Sequence, residues 1–265
     1  MRTGAVWSGR VLQGLGPPLL FGVAFLLLWQ AFVVVGDIEP FVLPEPTAIF
    51  EELRLNLDSI LEATRSTGLN ALVGLGLGLA AGLVAALLAS RLRPLEELLT
   101  PLSAAAAAIP IVALTPILNT MFSSTSSTPR RLIVLIYVFF PIFVNTLKGL
   151  RQIDPVHAEL MRSYAASPWT VTRIVRLPRA LPFFFTGLKI ASAGAVIAAI
   201  VSEYFGGLQE GLGPAITSAA AASAYPRAWA IVCAAIALGL AFYLAAVLAE
   251  RIAMPWQRPP QGETT

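Results

Sequence analysis

The sequence predicts an all-α membrane protein with about six transmembrane helices. Hydrophobic residues make up 57% of its 265 residues and charged residues 12%, whereas soluble domains carry about 25% charged residues. Apolar runs long enough to cross a bilayer, roughly 17–25 residues each, recur along the chain. They cover about 17–35, 68–90, 98–120, 131–150, 183–205 and 228–250.

The first and third runs need separate justification. Arg2 and Arg10 precede the first run, as in a signal peptide, but the run is longer than a usual signal sequence and no A-x-A-like cleavage site follows it. We therefore expect a retained anchor. The third run contains Pro110 and Pro116, and each proline removes a backbone donor, so a kink or a break is predicted there.

The second and fourth runs contain residues that predict helix contacts. Gly74, Gly78 and Gly82 recur at four-residue spacing, which predicts a face on which another helix packs closely. In the fourth run, Asn145 and Lys148 lie towards one end. Either Asn145 caps a kink at the neighbouring proline while Lys148 reaches the interface, or the two belong to a polar pathway.

The lysines and arginines of the loops predict the orientation. With the N-terminus inside, the cytoplasmic side and its membrane edge receive twelve basic residues and the opposite side five, as the positive-inside rule requires. The sequence then divides into a cytoplasmic N-terminal segment 1–16, a transmembrane domain 17–250 and a cytoplasmic tail 251–265. The polar segment 151–182 becomes a cytoplasmic loop.

The sequence of this loop predicts two short helices that meet at a corner. Asp154 before Pro155, and Ser167 before Pro168, each form a favourable N-cap and N1 pair. Leu177-Pro178 and Leu181-Pro182 are predicted to close the unit. On the first helix, four apolar residues share one face: Val156, Leu160, Met161 and Tyr164. On the second helix, Arg173 and Arg176 form a basic edge. An amphipathic hairpin on anionic lipid is the alternative.

Glu203 stands near the outer end of the fifth run. A carboxylate there is costly unless it faces water, a cation or the bundle interior, and a simple interfacial position is the alternative. The glycines that follow, from Gly206 to Gly213, predict a tight external turn. They lack the Gly-Lys-Ser/Thr ending of a phosphate-binding loop.

Residues for catalysis are sparse. His157 and Cys233 are the single histidine and cysteine, and no G-x-S-x-G, H-E-x-x-H or Walker-type run is present. We therefore expect no catalytic residue, no metal site and no cofactor in this chain, and no nucleic-acid partner. Any ATP hydrolysis must come from another chain.

Several stretches resemble one family. The spacing of Glu159, Ala165, Val175 and Leu177-Pro178 is similar to the EAA loop of bacterial ABC-importer permeases, E-A-A-x3-G-x9-I-x-L-P. Matching flanks cover about residues 43–256: LPEPTAIFEEL, IPIVALTPIL, FFPIFVNTLKGLRQIDP, LPRALPFFFTGLKIA and SEYFGGLQEGLG. They resemble the branch that includes nitrate, sulfonate, taurine, bicarbonate and thiamine-precursor permeases. This chain departs from the pattern with Leu160 and Met161 in place of alanines and Ala165 in place of glycine.

The resemblance implies a type I ABC-importer permease in the bacterial plasma membrane. Expected partners are two ATPase subunits that bind ATP and Mg, an extracytoplasmic binding protein that delivers a small solute, and a second permease copy or a paralogous permease. The ATPase-coupling residues would be Asp154, Glu159, Leu160, Met161, Arg162, Tyr164, Ala165, Ala166, Ser167, Pro168, Arg173, Leu177 and Pro178. Thr115, Asn119, Asn145 and Glu203 are the predicted path residues.

Three other functions stay open at this point. A secondary transporter would need no ATPase, but it usually carries intramembrane ionisable residues and inverted repeats, and we find neither signal. A membrane enzyme would need a catalytic cluster. A mainly structural subunit of a heterodimeric permease is the third alternative. The irregular corner at Ala165 motivates the separate hypothesis that this chain pairs with a different permease that carries a more regular loop.

Overall fold

The computed structural model describes residues 4–106, 110–123, 126–152, 154–206 and 209–257. Parts of the predicted terminal segments, and Gly207 of the predicted turn, lie outside these ranges. All regular elements in the described ranges are helical, which confirms the all-α prediction. They are α1 (Gly4–Val35), α2 (Pro46–Leu55), α3 (Leu57–Ala89), α4 (Arg93–Ala106), α5 (Ile111–Phe122), α6 (Thr128–Arg151), α7 (Pro155–Ser163), α8 (Pro168–Val171), a π-turn (Thr172–Arg176), α9 (Leu177–Tyr204), α10 (Leu212–Ala221), α11 (Tyr225–Ala253) and a short 3-10 turn (Pro255–Gln257).

Five helical segments are long and apolar enough to cross a membrane: Gly16–Val35, Leu57–Ala89, Thr128–Arg151, Pro168–Tyr204 and Tyr225–Ala253. The third predicted run, 98–120, is instead divided between α4 and α5. Pro110 is the N-cap of α5 and has extended backbone angles, φ −68° and ψ 107°. The predicted break therefore occurs at Pro110, while Pro116 lies within α5.

The chain divides into two compact units, and the first comprises residues 1–60 and 216–233. Within it, α1 and the start of α2 are joined through one glutamine. Gln30 Nε2 donates to Glu45 Oε2 at 2.7 Å, and Gln30 Oε1 accepts from the Thr47 amide at 3.2 Å. Trp29 also meets Trp229 edge to face, with ring centroids 5.8 Å apart.

The second unit, 61–215 with 234–265, contains an apolar core between α6 and α9. Small residues on α9 allow the larger side chains of α6 to approach its backbone. The buried members of this core include Val134, Val138 and Ile142 of α6 and Ala191, Ala195, Ala198 and Ala199 of α9. The close packing of two helices thus depends on alanines facing branched residues.

The glycine face of α3 packs against α6, as the four-residue spacing predicted. A Cβ at Gly78 would lie 2.7 Å from both Val138 Cβ and the Leu135 carbonyl oxygen. A Cβ at Gly82 would lie 2.9 Å from a carbonyl oxygen of the same helix. Gly76, on another face of α3, has nothing within 4 Å of its Cβ position. Glycine is therefore required only on the face that meets α6.

The loop between α6 and α9 differs from the prediction at its second half. Leu177-Pro178 and Leu181-Pro182 do not close a separate helix, because α8 continues through the π-turn into α9. The Leu177 amide donates to the Thr172 carbonyl, five residues back. This shifted register immediately precedes Pro178, which has no N–H to donate. The helix predicted at 183–205 consequently begins at Pro168.

Candidate functional site

The loop helices begin where the Asp-Pro and Ser-Pro pairs predicted. Asp154 Oδ1 accepts a hydrogen bond from the Val156 amide at 3.0 Å. Ser167 Oγ accepts one from the Thr170 amide at 3.2 Å. Both side chains satisfy backbone donors that the first turn leaves unpaired. A corner of four residues separates the end of α7 at Ser163 from the start of α8 at Pro168.

Ala165 forms this corner in a left-handed conformation with φ 48°. Its amide donates to the Arg162 carbonyl at 2.9 Å, and the Ala166 amide donates to the Met161 carbonyl at 3.0 Å. These two bonds define a Schellman motif, whose left-handed position is usually glycine because a Cβ is unfavourable there. Ala165, which stands where the family pattern has glycine, is therefore the corner residue whose backbone is strained.

The apolar face of α7 is exposed. Val156 is 70% exposed, Leu160 45% and Tyr164 72%, and Glu159 beside them is also exposed, whereas Met161 is half-buried. These three apolar side chains follow at four-residue spacing and so share one side of the helix. We call them the α7 face. Of the other predicted coupling residues, Ala166 is half-buried, and those exposed are Arg162, Ser167, Pro168, Arg173, Leu177 and Pro178.

Ionic contacts hold the loop to the helices around it. Arg179 of α9 donates to His157 Nδ1 at 3.2 Å and lies 3.9 Å from the Asp154 carboxylate. Arg151 forms an ion pair with Glu96 of α4. Local sequence patterns do not predict these contacts, because their partners lie on separate helices. The contacts of Arg179 join the start of α7 to the start of α9.

Glu203 is completely buried and organises the predicted turn. Its Oε2 accepts hydrogen bonds from Thr67 Oγ1 at 2.7 Å and from the Gly213 amide at 3.3 Å. Thr67 Oγ1 in turn accepts from the Leu212 amide at 2.8 Å. Gly211 has φ 101°, and a Cβ there would lie 2.5 Å from Oε2 of the carboxylate. The structure thus selects the interior position for Glu203 over the interfacial alternative.

A buried arginine accompanies this carboxylate. Arg130 is 2% exposed, donates to the Glu210 carbonyl at 3.0 Å and lies beside Gly206, three residues after Glu203. Arg131, next to it, donates to Asn70 Oδ1 at 3.2 Å. Both arginines begin α6, so this end of α6, the turn before α10 and α3 form one polar network. Sequence spacing contained no signal for it.

The four predicted path residues occupy two levels of the bundle. Thr115 is buried, and Asn119 donates to the Phe205 carbonyl at 3.3 Å, near the Glu203 end of α9. Asn145 donates to the Pro141 carbonyl at 2.8 Å and lies against Gly187. Since Gly187 precedes Glu203 by 16 residues on α9, a rise of 1.5 Å per residue separates the two levels by about 24 Å.

A further ionic pair lies between α9 and α11. Lys189 Nζ contacts both carboxylate oxygens of Glu250, at 2.9 and 2.8 Å, and both side chains are largely buried. The sequence places these residues 61 positions apart in different apolar runs, so periodicity could not join them. The pair connects the N-terminal half of α9 to the C-terminal end of α11.

Residues 78–253 match the family model described as the binding-protein-dependent transport system inner membrane component. The chain belongs to this family. The riboflavin transport system permease protein RibX of Chloroflexus aurantiacus is 34% identical over 92% of this chain and 90% of its own length. The formylaminopyrimidine transport permease protein ThiX of Halalkalibacterium halodurans is 31% identical over 94% and 98%.

A solved structure agrees with the fold. The crystal structure of an amino acid ABC transporter with histidines superposes with a TM-score of 0.63, covers 77% of this chain and 98% of that chain, and is 16% identical. The type I permease fold is therefore confirmed. The prediction of an ABC-importer permease in the inner membrane is also confirmed, over the secondary-transporter alternative.

Proposed function

We propose that this permease forms one half of the pathway of an ATP-driven importer. A second copy or a paralogous permease would supply the other half, and an extracytoplasmic binding protein would deliver the solute. The family description supports dependence on a binding protein. Two ATPase subunits would bind ATP and Mg, so that this chain itself needs no cofactor.

The observation that carries the proposal is the exposed α7 face. Three apolar side chains at helical spacing, with Glu159 and Arg162 beside them, are suited to insertion into a groove of an ATPase subunit. The charged residues would fix the register of that contact. The Schellman corner at Ala165 would hold α7 at a defined angle to α8.

The continuous helix from α8 to α9 gives this contact a mechanical consequence. A displacement of the loop by ATPase closure would be transmitted along α9, because the π-turn joins the two segments without a break. Lys189 would pass part of that displacement to α11 through Glu250. Glu203, at the far end of α9, would move the external turn.

We place the loop and both termini in the cytoplasm on the charge distribution of the loops. A cysteine introduced at Arg173, in a chain with Cys233 replaced by alanine, should react with a membrane-impermeant thiol reagent only from the cytoplasmic side. Labelling from the outside would contradict the orientation.

For the solute we favour a small heteroaromatic molecule of the vitamin or vitamin-precursor class. The relatives named for riboflavin and formylaminopyrimidine transport match over 92% and 94% of this chain. Permeases named for sulfonate and bicarbonate transport match over smaller shares of this chain, 75% and 72%, so small anions such as sulfonates, taurine, nitrate or bicarbonate are the second candidate. Mass spectrometry of ligand bound to the partner binding protein would distinguish the two classes.

The coupling role is tested by Glu159→Lys in the complete transporter, reconstituted with its ATPase and binding protein. The reversed charge should abolish ATP-dependent uptake while membrane insertion stays unchanged. Glu97→Lys, an exposed carboxylate on α4, is the matched control and should retain uptake. Undiminished uptake by the Glu159 variant would remove the proposed coupling role.

A further inference from the structure

An open cavity of about 750 Å³ with a strongly basic lining lies at the corner of the loop. Arg91 enters it from the segment after α3, Arg162 from the end of α7, and Arg176 from the π-turn. Trp169 forms one wall, and the Arg91 guanidinium lies 5.4 Å from its ring centroid. No carboxylate is among the described residues that line this cavity.

The hydroxyls of this lining already have acceptors, whereas one arginine donor has none among the described residues. Ser90 Oγ already donates to the Leu87 carbonyl at 2.7 Å, and Thr172 Oγ1 donates to the Pro168 carbonyl at 2.9 Å. The Arg176 Nε is buried and has no acceptor within the described part of the chain. A buried guanidinium donor without an acceptor is costly, and like charges around one cavity repel each other.

The cavity lies at one edge of the membrane-spanning region. Ala89 ends the third helix one residue before Ser90, and the membrane-spanning part of α9 follows Arg176. Three guanidiniums present planar forks of N–H groups that match the oxygens of a phosphate. Basic pockets between helices at this depth suit phosphate-bearing head groups, and the cavity also has room for atoms beyond the phosphate.

We propose that this cavity is a binding site for a phosphate group, supplied either by an anionic phospholipid or by a soluble phosphate. The bound anion would neutralise Arg91, Arg162 and Arg176 together and fasten the loop corner to the end of α3. Arg162 is also one of the predicted coupling residues, so phosphate binding is measured on the permease alone, where its outcome does not depend on an ATPase.

The test uses the full-length permease in nanodiscs and native mass spectrometry with phosphatidylglycerol against phosphatidylcholine. The wild type should retain phosphatidylglycerol at least tenfold better than phosphatidylcholine. The double variant Arg162→Gln with Arg176→Gln should lose at least tenfold of that retention. The single variant Arg162→Gln, which changes an exposed side chain, should lose about threefold and keeps the test valid if the double variant misfolds.

Arg93→Gln is the matched control, since Arg93 lies near Arg91 but pairs with Glu97 outside the cavity. Its phosphatidylglycerol retention should equal that of the wild type. Calorimetric titration of the detergent-purified permease with inorganic phosphate separates the sources: binding that the double variant loses identifies soluble phosphate, and phosphatidylglycerol binding alone identifies the lipid. The proposal is overturned if the double variant retains phosphatidylglycerol as well as the wild type does and also binds inorganic phosphate no more weakly than the wild type.

Discussion

Ala165→Gly should strengthen the corner of the loop. Ala165 has φ 48°, and an L-residue in the left-handed region costs roughly 1–2 kcal/mol that glycine does not incur. Glycine loses more backbone entropy on folding, which offsets roughly 0.4–1 kcal/mol of the gain. The net stabilisation of the Schellman motif should be about 0.5–1 kcal/mol, equivalent to a roughly two- to fivefold lower population of the open corner.

Hydrogen exchange of the loop amides measures this population directly. The Ala165 and Ala166 amides, which donate to the carbonyls of Arg162 and Met161, should exchange about two- to fivefold more slowly in the Ala165→Gly variant. Ala166→Gly is the control, because Ala166 is not among the residues with positive φ and glycine there adds entropy cost alone. Exchange that is unchanged or faster in Ala165→Gly would refute the strain argument.

Three further substitutions test the packing of the bundle, each by thermal unfolding of the purified permease. Gly78→Ala should destabilise it by about 1–3 kcal/mol because its Cβ would meet the backbone of α6, whereas Gly76→Ala should be neutral or stabilising; equal effects would contradict the predicted contact. Lys189→Gln should lower the free energy of unfolding by about 2 kcal/mol because it leaves Glu250 unpaired. The double variant Lys189→Glu with Glu250→Lys should recover most of that loss. Glu203→Gln should cost about 1–3 kcal/mol through weaker bonds to the turn, and an unchanged melting temperature would count against that network.

Local sequence signals predicted the features that depend on short-range chemistry. The Asp154 and Ser167 caps, the break at Pro110 and the glycine face of α3 are each determined within a few residues of the chain. A proline lacks its donor wherever it occurs, and a capping side chain reaches backbone amides of its own turn. Such features need no knowledge of the tertiary fold.

Polar groups inside the bundle were predictable as costly, but their partners were not. Glu203 was expected to need a partner or the bundle interior, yet Thr67 lies 136 residues away on α3. Lys189 and Glu250 are likewise brought together only by the packing of α9 against α11. Periodicity identifies the face on which a residue lies, whereas the identity of the facing helix follows from long-range packing.

At the π-turn, the prolines remove backbone donors as expected, but the predicted end of the loop helix does not occur. Pro178 and Pro182 remove two backbone donors, which predicted an end to the loop helix. The chain instead changes its hydrogen-bond register at Leu177 and continues as one helix. Because of this continuity, the basic cavity at the loop corner and the buried Glu203 lie at opposite ends of one helical segment, Pro168–Tyr204, and the irregular turn is the feature that joins them.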